Sequence, residues 1–127
     1  VQFLTVTPGK QGQELLEKIK SFNIGKSVIY ADAAEPKSIE EIYRAGINIK
    51  PANKDVWAGI LKVKSFPLYV TKRSHNAQKE LQSYKWKKDK EDNVIDEPVK
   101  ANDDFCDSLR YGIYNYHNSP KFVVAVA

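Results

Sequence analysis

Three aspartates near the end of the chain, Asp103, Asp104 and Asp107, stand at i, i+1 and i+4. On a helix that spacing puts Asp103 and Asp107 on one face, with Asp104 in reach of it. Acids in a first helical turn complement the helix dipole by a few tenths to about 1 kcal/mol, which accounts for Asp103 and Asp104 without any function. Asp107 is explained less well, because it lies a full turn further in and adds like-charge repulsion. A divalent cation would offset that repulsion by collecting carboxylates from different elements. A second acid, Asp32, follows the run Ser27 to Ala31 (SVIYA). A turn-forming aspartate is the plain alternative there. Ligands of open α/β sheets, however, gather outside the carboxyl ends of the strands. If the last helix packs across that edge, Asp32 and Asp107 share a metal. Phosphodiester hydrolysis needs this arrangement, since closely spaced metal ions generate the attacking hydroxide and stabilise the leaving oxygen.

Other chemistry is poorly supported. Gly25-Lys26-Ser27 has the tail of a phosphate-binding P-loop, but Lys20 stands where the first glycine is required. His75 and His117 have no partner at metal-ligand spacing, and isolated histidines are usually surface or packing residues. Cys106, the only cysteine, rules out an internal disulfide framework and reads as a small buried hydrophobe.

The elements that must carry these acids alternate. Val1 to Val6 reads as a strand ending at Pro8-Gly9, followed by a helix with Leu15, Leu16, Ile19 and Phe22 at helical spacing, closed by Gly25. Ser27 to Ala31 is a strand. Ser38 with Glu41 predicts a capping box for a second helix that Gly46 terminates, and Ile47 to Lys50 is a strand before Pro51. Asp55 to Lys64 is a helix with Trp57, Ile60 and Leu61 on one side. Leu68 to Thr71 is a strand, Ser74 to Tyr84 a helix, and Lys85 to Pro98 a hairpin around Asp92-Asn93. Asn102 caps a last helix to about Tyr116 that turns Phe105, Leu109, Ile113 and Tyr116 inward. This βα alternation predicts an α/β fold, a mainly parallel central sheet covered by helices, in a single domain spanning residues 1–127.

Composition agrees with one globular domain: 127 residues, 42% hydrophobic and 28% charged, with no apolar run near the roughly 18 residues of a membrane span. The net charge of +4 is unevenly spread. Thr71 to Lys90 holds seven basic residues against Glu80 and Asp89, a net +5 that leaves −1 for the rest. A basic segment on a near-neutral body suits phosphate binding, with Lys72, Arg73, Lys85, Lys87 and Lys88 as the contacts; a solvated lysine-rich face is the equal alternative. The chain has no methionine and begins at once in an apolar run, so the sequence is read as a piece of a longer protein.

Several linked segments resemble one family. Ile29 to Pro36 (IYADAAEP), Ala45 to Pro51, Leu68 to Arg73 (LYVTKR), Glu80-Leu81, Tyr84-Lys85-Trp86 and Asp103 to Tyr111 (DDFCDSLRY) look like the ribonuclease H-like nuclease domain of phage large terminases, in the right order across about residues 28–116. The resemblance implies a two-metal endonuclease using Mg²⁺ or Mn²⁺, with a mixed central sheet flanked by helices. Asp32 matches the second of the family's three acidic positions and Asp107 the third. Asp104 falls where many members carry histidine and Asp103 where they carry aspartate, which makes both auxiliary. The family's first acid lies on the opening strand. Only Glu14 and Glu17 precede Asp32 here, on the outward side of the first helix, so the opening strands are expected to be missing and the chain alone to be a poor nuclease. The implied partners are double-stranded DNA, an N-terminal packaging ATPase domain of the parent chain, the portal and the small terminase subunit, in the cytoplasm of a host bacterium and with no membrane. The rival readings are a catalytically decayed nucleic-acid-binding module of the same fold and a resolvase-type nuclease from another branch.

Overall fold

The computed structural model describes residues 12–118. The expected first strand and the apolar stretch Lys121 to Ala127 lie outside the described residues. In chain order the elements are α1 (Gly12–Lys20), β1 (Ile29–Ala31), α2 (Pro36–Arg44), β2 (Ile49–Pro51), α3 (Val56–Lys64), α4 (His75–Ser83), β3 (Trp86–Lys88), β4 (Val94–Pro98) and α5 (Asp104–Asn118).

β1 and β2 pair in parallel, Ile29 opposite Ile49 and Ala31 opposite Pro51. The amide of Ala52 continues the ladder by donating to the Ala31 carbonyl at 2.8 Å. A parallel pair needs a crossover, and α2 supplies it. Ile19, Ile42 and Ile49 form the buried centre of this half, with Leu15, Ile24, Ile29, Ile39 and Ile47 around them. Glu14 and Glu17 are exposed on α1, as the apolar side of that helix requires. β3 and β4 form a separate antiparallel hairpin. Its turn is set by Asp92 in the left-handed region (φ 67°) and by Asp89, whose carboxylate accepts from the amides of Glu91 and Asn93. α5 joins the halves: it packs on β1, on α4 and, most extensively, along α3. Ile60, Ala77, Cys106, Leu109 and Tyr111 are buried there.

Four local expectations need correction. α2 starts two residues before the expected capping box, because Pro36 already has the φ of a first helical turn and lacks the amide that would go unpaired. Glu35 is then the cap position, and Ser38 lies inside the helix. Leu68 to Thr71 has no strand partner among the described residues; Tyr69 is 90% exposed. On α3 the inward face is Gly59 and Ile60, with Trp57 and Leu61 about half exposed. Trp57 leans instead on Trp86 of the hairpin, ring centroids 5.3 Å apart. On α5 the buried residues are Cys106, Leu109, Arg110 and Tyr111, while Tyr116 is 64% exposed. Periodicity over apolar residues misplaced that face because it could not count Arg110 as an interior residue.

Candidate functional site

Asp32 follows the last residue of β1 and therefore stands at the carboxyl edge of the parallel pair. Its Oδ1 accepts from the amide of Ala34 and from Lys54 Nζ, both at 2.9 Å. The Ala34 amide, helped by Lys54, holds the Asp32 carboxyl below its ordinary range. Lys54 comes from the loop after β2, the same edge of the same strand pair, and the bond to Asp32 raises its pKa in turn.

Asp107 lies at the end of the first turn of α5, the helix that packs on β1. Arg110 Nη2 donates to its Oδ1 at 2.6 Å, and Lys100 Nζ lies 3.2 Å from its Oδ2. Arg110 is only 3% exposed. Burial pulls its pKa down, but the Asp107 ion pair outweighs that and keeps the guanidinium charged. Its Nη1 donates to the Lys54 carbonyl at 3.3 Å. A continuous polar path thus runs from Asp32 through Lys54 and Arg110 to Asp107. Asn115, one turn on, fixes the same loop by accepting from the Asn53 amide at 2.8 Å and donating to its carbonyl. Charge also acts across elements: Lys100 adds to the lowering at Asp32, Asp107 adds to the raising at Lys54, and Tyr111 feels both carboxylates. Burial, and then Asp107 and Asp32, push the Tyr111 hydroxyl pKa up. The two acids expected to converge, distant in sequence, are linked through Lys54 and Arg110, each carboxylate keeping its own cation.

Asp103 and Asp104 differ. The Asp103 carbonyl accepts from the Asp107 amide at 2.8 Å, which makes Asp103 the cap position of α5. Lys100 Nζ forms an ion pair with its buried Oδ2 at 3.2 Å. Asp104 is exposed at the first position of the helix. Asn102, the expected cap, is in the left-handed region (φ 50°) and precedes the helix. The capping is done from another element: Glu80 of α4 accepts at Oε2 from the amides of Phe105 (2.7 Å) and Cys106 (3.4 Å). Cys106 is buried beneath, and burial lifts its thiol to about 11, so it is no nucleophile.

Carboxylate oxygens are the donors a hard cation such as Mg²⁺ or Mn²⁺ prefers, and Asp32, Asp103 and Asp107 are donors of that kind, each held here by a lysine or arginine. The residues fit in kind. In number they supply part of a shell, since among the described residues no three His, Cys, Asp or Glu side chains lie close enough to hold an ion by themselves.

The basic segment divides. Lys72 and Arg73 are exposed in the turn before α4, and Lys85 is exposed after it. Lys87 and Lys88 sit on β3, bound to Glu97 and Asp92 at 2.8 Å. The histidines lie outside this arrangement: His75 opens α4, and His117 stacks on Phe66 with centroids 4.6 Å apart. Sequence reasoning did not single out Lys54, Lys100, Arg110, Asn115 or Glu80 for the site. Arg110 carried one usable signal, its i+3 spacing from Asp107.

A parallel strand pair with Asp32 at its carboxyl edge, and a last helix that packs on β1 and carries Asp107, agrees with a ribonuclease H-like arrangement. The chain matches the terminase RNase H-like domain family over residues 12–115, and it belongs to that family. Among solved structures it is similar to the large terminase of a thermophilic bacteriophage. Against the ADP complex the identity is 28% and the TM-score 0.75, covering 87% of this chain and 30% of that one. Against the ATP-γ-S complex they are 29% and 0.71, covering 82% and 28%. The chain therefore spans under a third of the length of the terminases it matches. No curated protein matches it.

Proposed function

We propose that this chain is the DNA-cleaving part of a phage or prophage large terminase, a metal-dependent endonuclease that cuts double-stranded viral DNA during packaging. The observation that supports the reading is the hydrogen-bonded path from Asp32, at the carboxyl edge of β1, through Lys54 and Arg110 to Asp107, in a chain of the terminase RNase H-like family. Asp32 and Asp107 would hold Mg²⁺ or Mn²⁺, with Asp103 and Asp104 as auxiliary acids. When bound, the ion supplies activated water and charge for the leaving oxygen. The chain's own residues supply placement: β1 fixes Asp32, α5 fixes Asp107, and buried Arg110 ties Asp107 to the Lys54 loop. Lys72, Arg73 and Lys85, with Lys87 and Lys88 beside them, would track the DNA backbone. In the parent protein the domain would follow a packaging ATPase and work in the host cytoplasm with the portal and small subunit.

The test is plasmid cleavage by the parent terminase in millimolar Mn²⁺. Asp32→Asn and Asp107→Asn are each expected to slow cleavage about 100-fold or more while leaving the fold intact by circular dichroism. Cleavage at the parent's rate by either variant would refute the assignment.

A further inference from the structure

Asp32, Asp103 and Asp107 are each paired with a cation, and the cations are of two kinds. Arg110 is 3% exposed, its stem crosses Gly59, and its two terminal nitrogens are bonded to different elements. It cannot leave without rebuilding the α3–α5 contact. Lys54 and Lys100 are the opposite case: their side chains are 43% and 57% exposed. Each is a long flexible stem ending in a compact charge, free to move its head into water at small cost. Lys54 Nζ takes the Asp32 oxygen that also accepts from Ala34, and Lys100 Nζ stands between Asp103 and Asp107. The two heads are thus held by exposed ion pairs at either end of the path that joins Asp32 to Asp107. A divalent ion on those acids would meet two like charges that can swing away and one that cannot.

We infer that Lys54 and Lys100 are exchangeable counter-ions: a divalent cation displaces them from the acids, and the released ammonium groups then bind the DNA phosphates flanking the cut. This rests on the metal-dependent reading above and adds two phosphate-binding residues to it, outside the basic segment. The exchange has a physical logic. The charge of the edge stays close to balanced without metal, and DNA affinity rises when metal arrives, because the lysines no longer spend their charge on carboxylates.

The exchange predicts effects of opposite sign. Removing a lysine charge beside the ion should tighten metal binding, by about three- to tenfold for one unit charge several ångströms away in water. The same change should weaken DNA binding in the presence of metal and lower the log–log salt slope by about one per lysine. Mn²⁺ binding to this chain is followed by the loss of the free Mn²⁺ paramagnetic signal. DNA binding is followed by anisotropy of a labelled duplex in Ca²⁺, across a salt series. Lys54→Gln, Lys100→Gln and the charge-keeping Lys54→Arg are compared with the parent sequence. Tighter Mn²⁺ with weaker DNA in both glutamine variants, and neither change in Lys54→Arg, is the expected result. Both affinities falling together would make the lysines merely structural, and neither moving would make them incidental surface ion pairs; either overturns the exchange while metal binding by the acids stands. If Asp32→Asn and Asp107→Asn leave Mn²⁺ binding unchanged, the metal reading falls and the exchange with it.

Discussion

A single methyl group at Gly59 tests how the site is held. A Cβ built there would lie 2.4 Å from Arg110 Cγ and 2.6 Å from Cδ, far inside contact distance. The neighbour is a side chain but not a free one, since its far end is bonded to Asp107 and to the Lys54 carbonyl. Overpacking of this kind costs about 1–3 kcal/mol. Displacing the guanidinium also weakens charged hydrogen bonds of roughly 1.5–3 kcal/mol, discounted because Asp107 is one-fifth exposed and keeps Lys100. Alanine recovers about 1 kcal/mol of helix propensity. The net expectation for Gly59→Ala is about 2 kcal/mol of destabilisation, or a Tm lower by about 8 °C. The decisive measurement is the same substitution in an Arg110→Ala background, by urea unfolding. There Cγ and Cδ are gone and the nearest atom, Cβ at 3.8 Å, is in ordinary contact. The sign should reverse, with alanine at 59 stabilising by about 0.5–1 kcal/mol. Equal destabilisation in both backgrounds would mean that Arg110 is not what the glycine accommodates.

Other outcomes follow from the same geometry. Glu80→Ala removes the acceptor for two amides at the start of α5 and should cost about 1.5–3 kcal/mol, whereas Glu80→Gln keeps an oxygen there and should cost clearly less; hydrogen exchange at Phe105 and Cys106 should accelerate in the alanine variant only. Because the fold lowers the Asp32 pKa, its ionised form is favoured on folding: that stability is present above the ordinary value of 3.8 and lost as pH falls through the lower folded value. Unfolding curves of Asp32→Asn and the parent sequence should therefore converge below pH ~4, and a gap that widens with acid would contradict the cause given. In the basic segment, neutralising Lys72, Arg73 or Lys85 should each flatten the salt dependence of DNA binding by about one unit, with smaller effects at Lys87 and Lys88, which already hold Glu97 and Asp92. Equal effects at all five positions would show that those hairpin ion pairs do not compete with DNA.

Much of the fold was legible because its signals are local. β1, α2, β2, α3, the hairpin and α5 all lie within a few residues of where periodicity and turn residues put them, and Gly46 ends α2 with a φ of +86°. Asp32 and Asp107 could be proposed because strand ends and helix faces follow from period alone, and the rule for parallel sheets singles out the edge where Asp32 lies. The cations around them were not legible. Lys54 and Lys100 look like any surface lysine in sequence; Lys54 meets Asp32 through the parallel pairing of β1 with β2, and Lys100 meets Asp103 and Asp107 through the path of the chain into α5. Glu80 is the clearest case: a cap is sought within a few residues of its helix, and this one is supplied from 25 residues upstream. The strand expected at Leu68 to Thr71 illustrates the converse limit, since a β-favouring run becomes a strand only where another backbone lies beside it.

The distribution of polar contacts on α5 explains why one helix can organise a site spread over the chain. Between Asp107 and Asn115 it offers Asp107 to Lys100, Arg110 to the Lys54 carbonyl, and Asn115 to both backbone groups of Asn53, while Glu80 of α4 secures its first turn. Apolar packing against α3 and α4 provides most of the docking energy, but it is non-directional and tolerates small slides. Charged and bidentate hydrogen bonds do not, because their geometry is lost within a fraction of an ångström. Burying Arg110 is costly, and a well-packed apolar residue could match its contribution to stability. What an apolar residue could not do is tie the Asp107 carboxylate and the loop carrying Lys54 to the same point. The buried guanidinium is thus better understood as fixing the spacing of the Asp32 and Asp107 edges than as stabilising the fold, and its neighbour Gly59 as the space that lets it reach both.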